Sequence, residues 1–280
     1  MTATIEANGL RFDMFSGEER FLAPNAVLVS GRHDAVLVDC GFVRPDVERL
    51  VAMVRGTGKR LRAVLITHAH PDHYGGTNAF AEAFPDAPIL ARQGVLDGIA
   101  EWPAKRLHWQ DMFGEKLPWD LVYPRPLRGK TLFLEDREIL IVDLPICETV
   151  HATAFYVPSA RALIAGDLIH NRYHFYMADT NNPTSWIAAI ELTRGLGPID
   201  HVFPGHGAAG GPELFAECIA WLEDYWRAAA PGVRFTEIAR EMMRLYPDHG
   251  LALLLWLSRG PGFGTCGAKE LGVPAELLGG

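Results

Sequence analysis

The sequence predicts an α/β protein in which two β-sheets pack face to face with helices outside, and a helical segment caps the C-terminal end. Three observations carry this. Short β-branched hairpins and strand–loop–helix units run up to Gly211; from Pro212 onward one helical pattern follows another. The chain has 280 residues, of which 49% are hydrophobic, enough to bury one large core without disulfides. No internal repeat at a spacing of about 20–50 residues interrupts that order. The expected division is therefore a unit over 1–211 and a helical extension over 212–280 packed on it.

The elements follow in order. "NAVLVSGRHDAVLVDCG" holds two apolar runs around the turn-rich Ser30 to Asp34 and reads as a β-hairpin. In "RPDVERLVAMVRGTGKR", Val47, Leu50, Val51 and Val54 recur at helical spacing, with Pro45 near the start and glycines at the end, which makes an amphipathic helix. "LRAVLIT" is a buried strand, "GTNAFAEAFPDAP" a helix and "PILAR" the next strand. From Trp102 to Arg128 the periodicity fades, and the segment reads as a long ordered loop with short helical pieces. "KTLFLEDREILIVDLP" and "ATAFYVPSARALIAGD" are two further hairpins, turning at "EDR" and at Pro158–Ser159. "PTSWIAAIELTRG" is a helix, and "DHVFPGHG" a strand that runs into a glycine-flanked histidine. "PELFAECIAWLEDYWRAAA", "FTEIAREMMRLY" and "HGLALLLWLS" complete the helical end. Their Trp/Met/Leu stripe reads as core or as a subunit contact in a homodimer, and "GPGFG" lacks the strand–helix context of a phosphate loop.

Charge and composition exclude several classes. A net charge of -8 with interspersed signs and no Lys/Arg block argues against a nucleic-acid partner. The N-terminus has no basic segment leading into an apolar run, and no apolar run of about 18 residues occurs, so a cytoplasmic protein with no membrane partner is expected. Cys40, Cys147, Cys218 and Cys266 form no C-x-x-C pair and fit reduced thiols.

The chemistry concentrates in "ITHAHPDHYGG", at the end of the strand "LRAVLIT", where ligands gather in such units. His68, His70, Asp72 and His73 are the residue types zinc prefers. His68 and His70, two apart in an extended segment, face one side. Asp72 and His73 lie beyond Pro71 and can face a second point, so one short loop can serve two metals.

"THAHPDHYGG" resembles the T-H-x-H-x-D-H-x-G-G signature of the metallo-β-lactamase-fold superfamily of metallohydrolases, which includes lactonases and glyoxalase II-like hydrolases. "AVLVDCG", "LIAGD" and "VFPGHG" resemble further landmarks of that superfamily in the same order, from Val36 to Gly207. The resemblance implies an αββα four-layer sandwich with a two-metal site between the sheets. Carried over residue by residue, it implies that His68 and His70 bind the first ion, that Asp72, His73 and His206 bind the second, and that Asp167 bridges them. It implies for Asp39 a buried role in orienting the ligands.

One landmark departs. Where the superfamily carries a third histidine for the first ion, this chain reads "ICET". Counting forward from Pro145 lands on Cys147, counting back from Pro158 lands on Glu148, and a longer loop allows Ile146. Imidazole suits zinc, so the nearest histidine, His151, is assigned, with Glu148 and Cys147 as competent replacements. The stretch after Asp167, with His170, Tyr173, His174 and Tyr176, reads as a pocket wall more than as cover for a sheet edge. A Cys147/His151 nucleophile pair leaves the "HAHPDH" cluster unexplained, and no G-x-S-x-G elbow occurs.

The implied activity is a zinc-dependent hydrolase, with two ions expected and iron or manganese as alternatives, in which metal-activated water oriented by Asp72 attacks a carbonyl. A lactone or other small ester comes first, because Trp102, Trp109, Trp119 and Tyr123 with Tyr173 and Tyr176 suggest an apolar pocket. A thioester of glyoxalase II type comes next, then a β-lactam. From other classes, the superfamily's iron-dependent sulfur dioxygenases and flavodiiron proteins suggest redox chemistry, and loss of a ligand at "ICET" suggests a metal-poor binding module.

Overall fold

A computed structural model describes residues 2–118 and 120–258; Met1, Trp119 and 259–280, with Cys266 and "GPGFG", lie outside the described residues. The chain opens with a hairpin of β1 (Thr2–Ala7) and β2 (Leu10–Ser16), which continues into β3 (Asn25–Ser30) and β4 (Asp34–Val38) as an antiparallel meander. The β1–β2 turn is Asn8-Gly9, both residues at positive φ, the backbone that matches strand twist. Next come α1 (Arg44–Gly56), β5 (Arg60–Ile66), the single turn α2 (Pro71–Tyr74), α3 (Thr77–Ala83), β6 (Ile89–Ala91), α4 (Gln93–Ile99), α5 (Trp102–Phe113) and β7 (Arg125–Pro126). β4, β5, β6 and β7 run parallel and finish a seven-stranded sheet in the order β1-β2-β3-β4-β5-β6-β7.

The second sheet is built from β8 (Thr131–Leu134), β9 (Arg137–Asp143), β10 (Thr153–Val157), β11 (Ala162–His170) and, after α6 (Pro183–Arg194), β12 (His201–His206), in the order β12-β11-β10-β9-β8. Only the β11–β12 pair in it is parallel. The end of the chain supplies α7 (Glu213–Ala228), α8 (Phe235–Leu245) and α9 (Ala252–Leu257).

Strand periodicity explains the four layers. Val27, Val29, Val36 and Val38 turn inward and meet Ile139, Ile141, Phe155, Val157 and Ile164 of the other sheet. Their neighbours Leu28, Ala35 and Leu37 turn outward onto Val47, Leu50, Val51 and Val54 of α1. On the far side, Ala154, Tyr156, Leu163 and Ala165 turn outward onto α6 and α7. β3, β4, β10 and β11 are buried on both faces, which is why they read as near-continuous apolar runs. The stripe Cys218, Trp221, Leu222 and Tyr225 of α7, with Met242 of α8, is core shared with the second sheet. Among the described residues no helix is long and apolar enough to cross a membrane.

One expectation is corrected. The segment read as a long loop begins with a twelve-residue helix, α5. Trp102, Arg106, Trp109 and Phe113 share one face, where Trp102 is buried against Tyr74 and Trp109 and Phe113 pack on Phe42, but the apolar pattern is blurred because Arg106 is buried within that face while Leu107 is exposed off it. The Trp102 and Trp109 side chains are thus packing residues rather than pocket walls, while Tyr123 is exposed.

Candidate metal centre

The site lies where β4, β5, β11 and β12 end. Asp39 follows β4 at φ 61, a left-handed conformation that aspartate tolerates better than most residues. Its carboxylate accepts the Thr67 amide (2.8 Å) and the Thr67 hydroxyl (2.9 Å), and its Oδ2 lies 2.8 Å from His73 Nδ1. Thr67 has one hydroxyl proton, and a carboxylate only accepts, so that proton goes to Asp39. The Thr67 oxygen then accepts from His68 Nδ1 at 2.9 Å, which leaves His68 Nε2 with its lone pair toward the site. Asp39 thus sets two imidazoles through one hydroxyl and one direct contact.

Pro71 starts α2 with His70 as its N-cap, and the change from extended to helical backbone separates the four side chains into two groups. His68 Nε2 and His70 Nδ1 lie 3.4 and 3.1 Å from Glu148 Oε2. Beyond the turn, Asp72 Oδ2 lies 3.7 Å from His73 Nε2 and 3.5 Å from His206 Nε2. Asp167 sits between the groups, with Oδ1 3.1 Å from His73 Nε2 and Oδ2 3.2 and 3.7 Å from the Nε2 atoms of His206 and His68. Gly205 makes room for it, since a β-carbon there would collide with the Asp167 carboxylate.

The predicted third histidine is elsewhere. The segment between β9 and β10 closes on itself, Leu144 donating to the Ala152 carbonyl (3.0 Å) and Cys147 to that of Thr149 (3.2 Å). Thr153 donates to the Thr67 carbonyl (2.9 Å), and Ala152 bridges His68, which stitches this loop to the histidine loop. Ala152 therefore faces as His68 does, and strand alternation turns His151 the other way, exposed, against Gly94 and lining a surface pocket with Arg92 and Arg128. Glu148, 2% exposed, points into the centre instead. Cys147 is core, and burial pushes its thiol up to about 12, far from a ready nucleophile. Tyr176 stands edge-on to His70 and Tyr173 lies 6.5 Å from His206, both at the margin of the centre. His174 does not line it: its ring is buried beside Trp221 and His249, and burial lowers it to about 3.

One residue, Asp179, escaped the sequence reading, and one read there as pocket wall, His170, reaches the centre itself. Asp179 Oδ2 lies 3.0 Å from His70 Nε2 and orients that ring toward Glu148. His170 closes β11, with Nε2 3.9 Å from Asp167 Oδ2. His170 belongs to a stretch already noted, whereas nothing in the spacing of "YMADT" marks Asp179.

The electrostatics are those of a cation site. Burial alone would deprotonate His73, but Asp167, Asp72 and Asp39 outweigh it and hold the ring well above its usual value. Burial and then Asp167 push Glu148 well up. Asp167 is held down against its own burial by His73, His206 and His68. Burial pushes His68 well down, assisted by His73. Nε2 of His68, Nε2 of His73, Oε2 of Glu148 and Oδ1 of Asp167 are all buried without a well-directed hydrogen bond, a costly arrangement for a site meant only for protons. His68, His70, Glu148 and Asp167 form one group able to hold a metal ion, and Asp72, His73 and His206 form another. Imidazole and carboxylate donors suit zinc, iron or manganese.

Comparison with known proteins agrees with this geometry. The metallo-beta-lactamase superfamily matches residues 20–206, and the chain belongs to that superfamily. The hydroxyacylglutathione hydrolase of Aeromonas hydrophila is 34% identical over 92 residues, 33% of this chain and 32% of that protein. The probable metallo-hydrolase YybB of Bacillus subtilis is 40% identical over 67 residues, 24% of this chain and 29% of that protein. The matches thus span a third or less of these relatives. Among solved structures, a metallo-beta-lactamase from Pontibacter korlensis superimposes with a TM-score of 0.64 at 17% identity, covering 80% of this chain and 99% of that one. A beta-lactamase domain protein from Burkholderia ambifaria gives 0.66 at 20% identity, covering 90% and 87%. At such identities the likeness establishes the αββα fold.

Proposed function

We propose that the chain is a zinc-dependent hydrolase of a small lactone or other ester, with residues 1–211 as the hydrolase unit and 212–280 as a helical extension. The observation that supports it is the convergence of buried, underpaired imidazole and carboxylate atoms in two groups around Asp167. His68, His70 and Glu148 would hold one ion and Asp72, His73 and His206 the other, with Asp167 shared. Each half-site then offers two nitrogens and one carboxylate of its own, so Glu148 makes up the ligand that the missing histidine would have supplied. Bound there, the ions supply Lewis-acid polarisation of the carbonyl and activation of water near neutral pH.

The chain's own residues orient and move protons. Asp72 is the most accessible carboxylate of the centre, its side chain 11% exposed, and is placed to orient the attacking water and accept its proton. Asp39 and Asp179 hold His73 and His70 in register. Tyr176, hydrogen-bonded to Asp179, forms the rim next to His70. The protons that His73 and Glu148 hold in this carboxylate-rich centre are displaced when cations bind, so affinity for metal falls as pH falls.

A thioester is the second reading, favoured by the hydroxyacylglutathione hydrolases that match this chain. Assays on a lactone, an aryl ester and an acylglutathione, before and after chelation and zinc restoration, test both. Zinc-restored lactone or ester turnover that His68→Ala abolishes supports the proposal, and a preference for acylglutathione moves it to the thioester. Oxygen uptake with bound iron, or no turnover of any substrate by the metal-loaded chain, overturns it.

A further inference from the structure

The centre contains an imidazole, that of His170, at a position the superfamily's pattern does not use. β11 is irregular where it leaves the sheet: between the pairs Gly166–Pro204 and His170–His206 it advances four residues while β12 advances two, and Gly166 adopts φ +54. In a regular strand, residues three apart face opposite sides. The bulged path instead returns His170 to the side of Asp167 and His206.

The surroundings of His170 fix it in that direction. Its ring stacks on Phe175 at 4.3 Å and 7°, and its centroid lies 5.1 Å from that of His206. Its backbone is also held, because Cys218 donates to the His170 carbonyl (3.2 Å) and Asn171 donates to that of His206 (3.0 Å). Its side chain is fully buried, and neither ring nitrogen has a well-directed hydrogen bond, the His174 backbone being the polar group that reaches the ring. A buried imidazole lone pair left without a partner costs free energy unless something else takes it. Asp167, His170 and His206 bring one ligand atom each to within 4.8 Å of one another, a set distinct from Asp72, His73 and His206 but sharing His206 with it.

We propose that His170 is a further ligand of the second metal ion, joining Asp72, His73, Asp167 and His206. The inference rests on the metallohydrolase reading above. It makes the two half-sites unequal, the second having one more protein nitrogen, and predicts that the second ion is retained more tightly and with a higher coordination number than the first.

The test uses His170→Phe, which keeps the stack on Phe175, and His170→Gln, which keeps a polar side chain, both checked for folding by circular dichroism. Metal per chain, the stepwise zinc affinities and the visible spectrum of the cobalt-substituted protein are compared with the parent. The expected result is that the affinity of the tighter ion falls at least about tenfold in both variants, the scale of losing a group that supports a metal. The cobalt absorption of that ion gains intensity as its coordination number drops. Unchanged affinities and an unchanged spectrum in either folded variant overturn the proposal, as does weakening of the looser ion alone. A parent protein that binds no metal refutes the underlying metallohydrolase reading instead, so the two failures are distinguishable. If His170→Phe does not fold, His170→Gln decides alone.

Discussion

Two loops build the proposed first half-site, and they differ in how they hold its candidate ligands. The loop after β5 delivers His68 and His70 within one short run that a strand end fixes on one side and α2 on the other, with Thr67 and Asp39 setting the His68 ring and Asp179 the His70 ring. The loop between β9 and β10 delivers only Glu148, from a closed segment whose orientation depends on the Leu144–Ala152 neck and on stitching to Thr67 and His68. The difference teaches that a ligand set is legible when local backbone geometry dictates it. Where a tertiary neck decides which side chain turns inward, spacing alone does not suffice.

The largest expected effect tests what the two half-sites share. Asp167→Ala removes the carboxylate common to both, so metal content falls for both ions, and turnover drops by on the order of 10³-fold, the scale of losing a charge-stabilising group. Next, Glu148→Ala and His151→Ala set the inward and outward residues of the same loop against each other. Glu148→Ala is expected to lose the ion held by His68 and His70, whereas His151→Ala leaves metal content intact and stability within about 0.5 kcal/mol, as exposed substitutions do. A reversed result breaks the comparison. Asp39→Asn keeps the left-handed backbone but weakens the support under His68 and His73, and metal affinity should fall about 10–100-fold by competition with a chelator.

The smallest effect concerns acid. Glu135, in the β8–β9 turn, accepts the amides of His33, Asp34 and Arg32, which lowers its carboxyl from 4.5 to about 2. A carboxyl whose folded value lies below its unfolded one contributes stability that is present above the unfolded value and lost as pH falls through the folded one. Glu135→Gln should therefore flatten the stability curve of the metal-free chain between about pH 4.5 and 2, read by denaturant titration, while leaving metal affinity at neutral pH unchanged. That separates the acid response of the fold from that of the metal centre.

Much of the fold was legible because its strands are long apolar runs punctuated by turn residues, and α1 carries a regular apolar stripe. β1 and β2 carry the same signal in "ANGL", an Asn-Gly turn between alternating residues, which the sequence reading did not use. α5 was hidden because its buried face, Trp102, Arg106, Trp109 and Phe113, includes a charged residue, while an apolar one, Leu107, lies exposed off that face. In the site, the bunched His68, His70, Asp72 and His73 are brought together as the strand–turn–helix pattern predicts, and the strand-end residues Asp39, Asp167 and His206 join them. Glu148 was weighed behind His151 because a preference for imidazole says nothing about which way a loop turns. Asp179 reaches His70 across 109 positions of chain and leaves no local mark.

The most direct measurement is anomalous diffraction at the zinc edge from crystals of the zinc-loaded protein. The account predicts two peaks flanking Asp167, one among His68, His70 and Glu148 and one among Asp72, His73 and His206. A single peak, or a peak coordinated by His151 in place of Glu148, would contradict it.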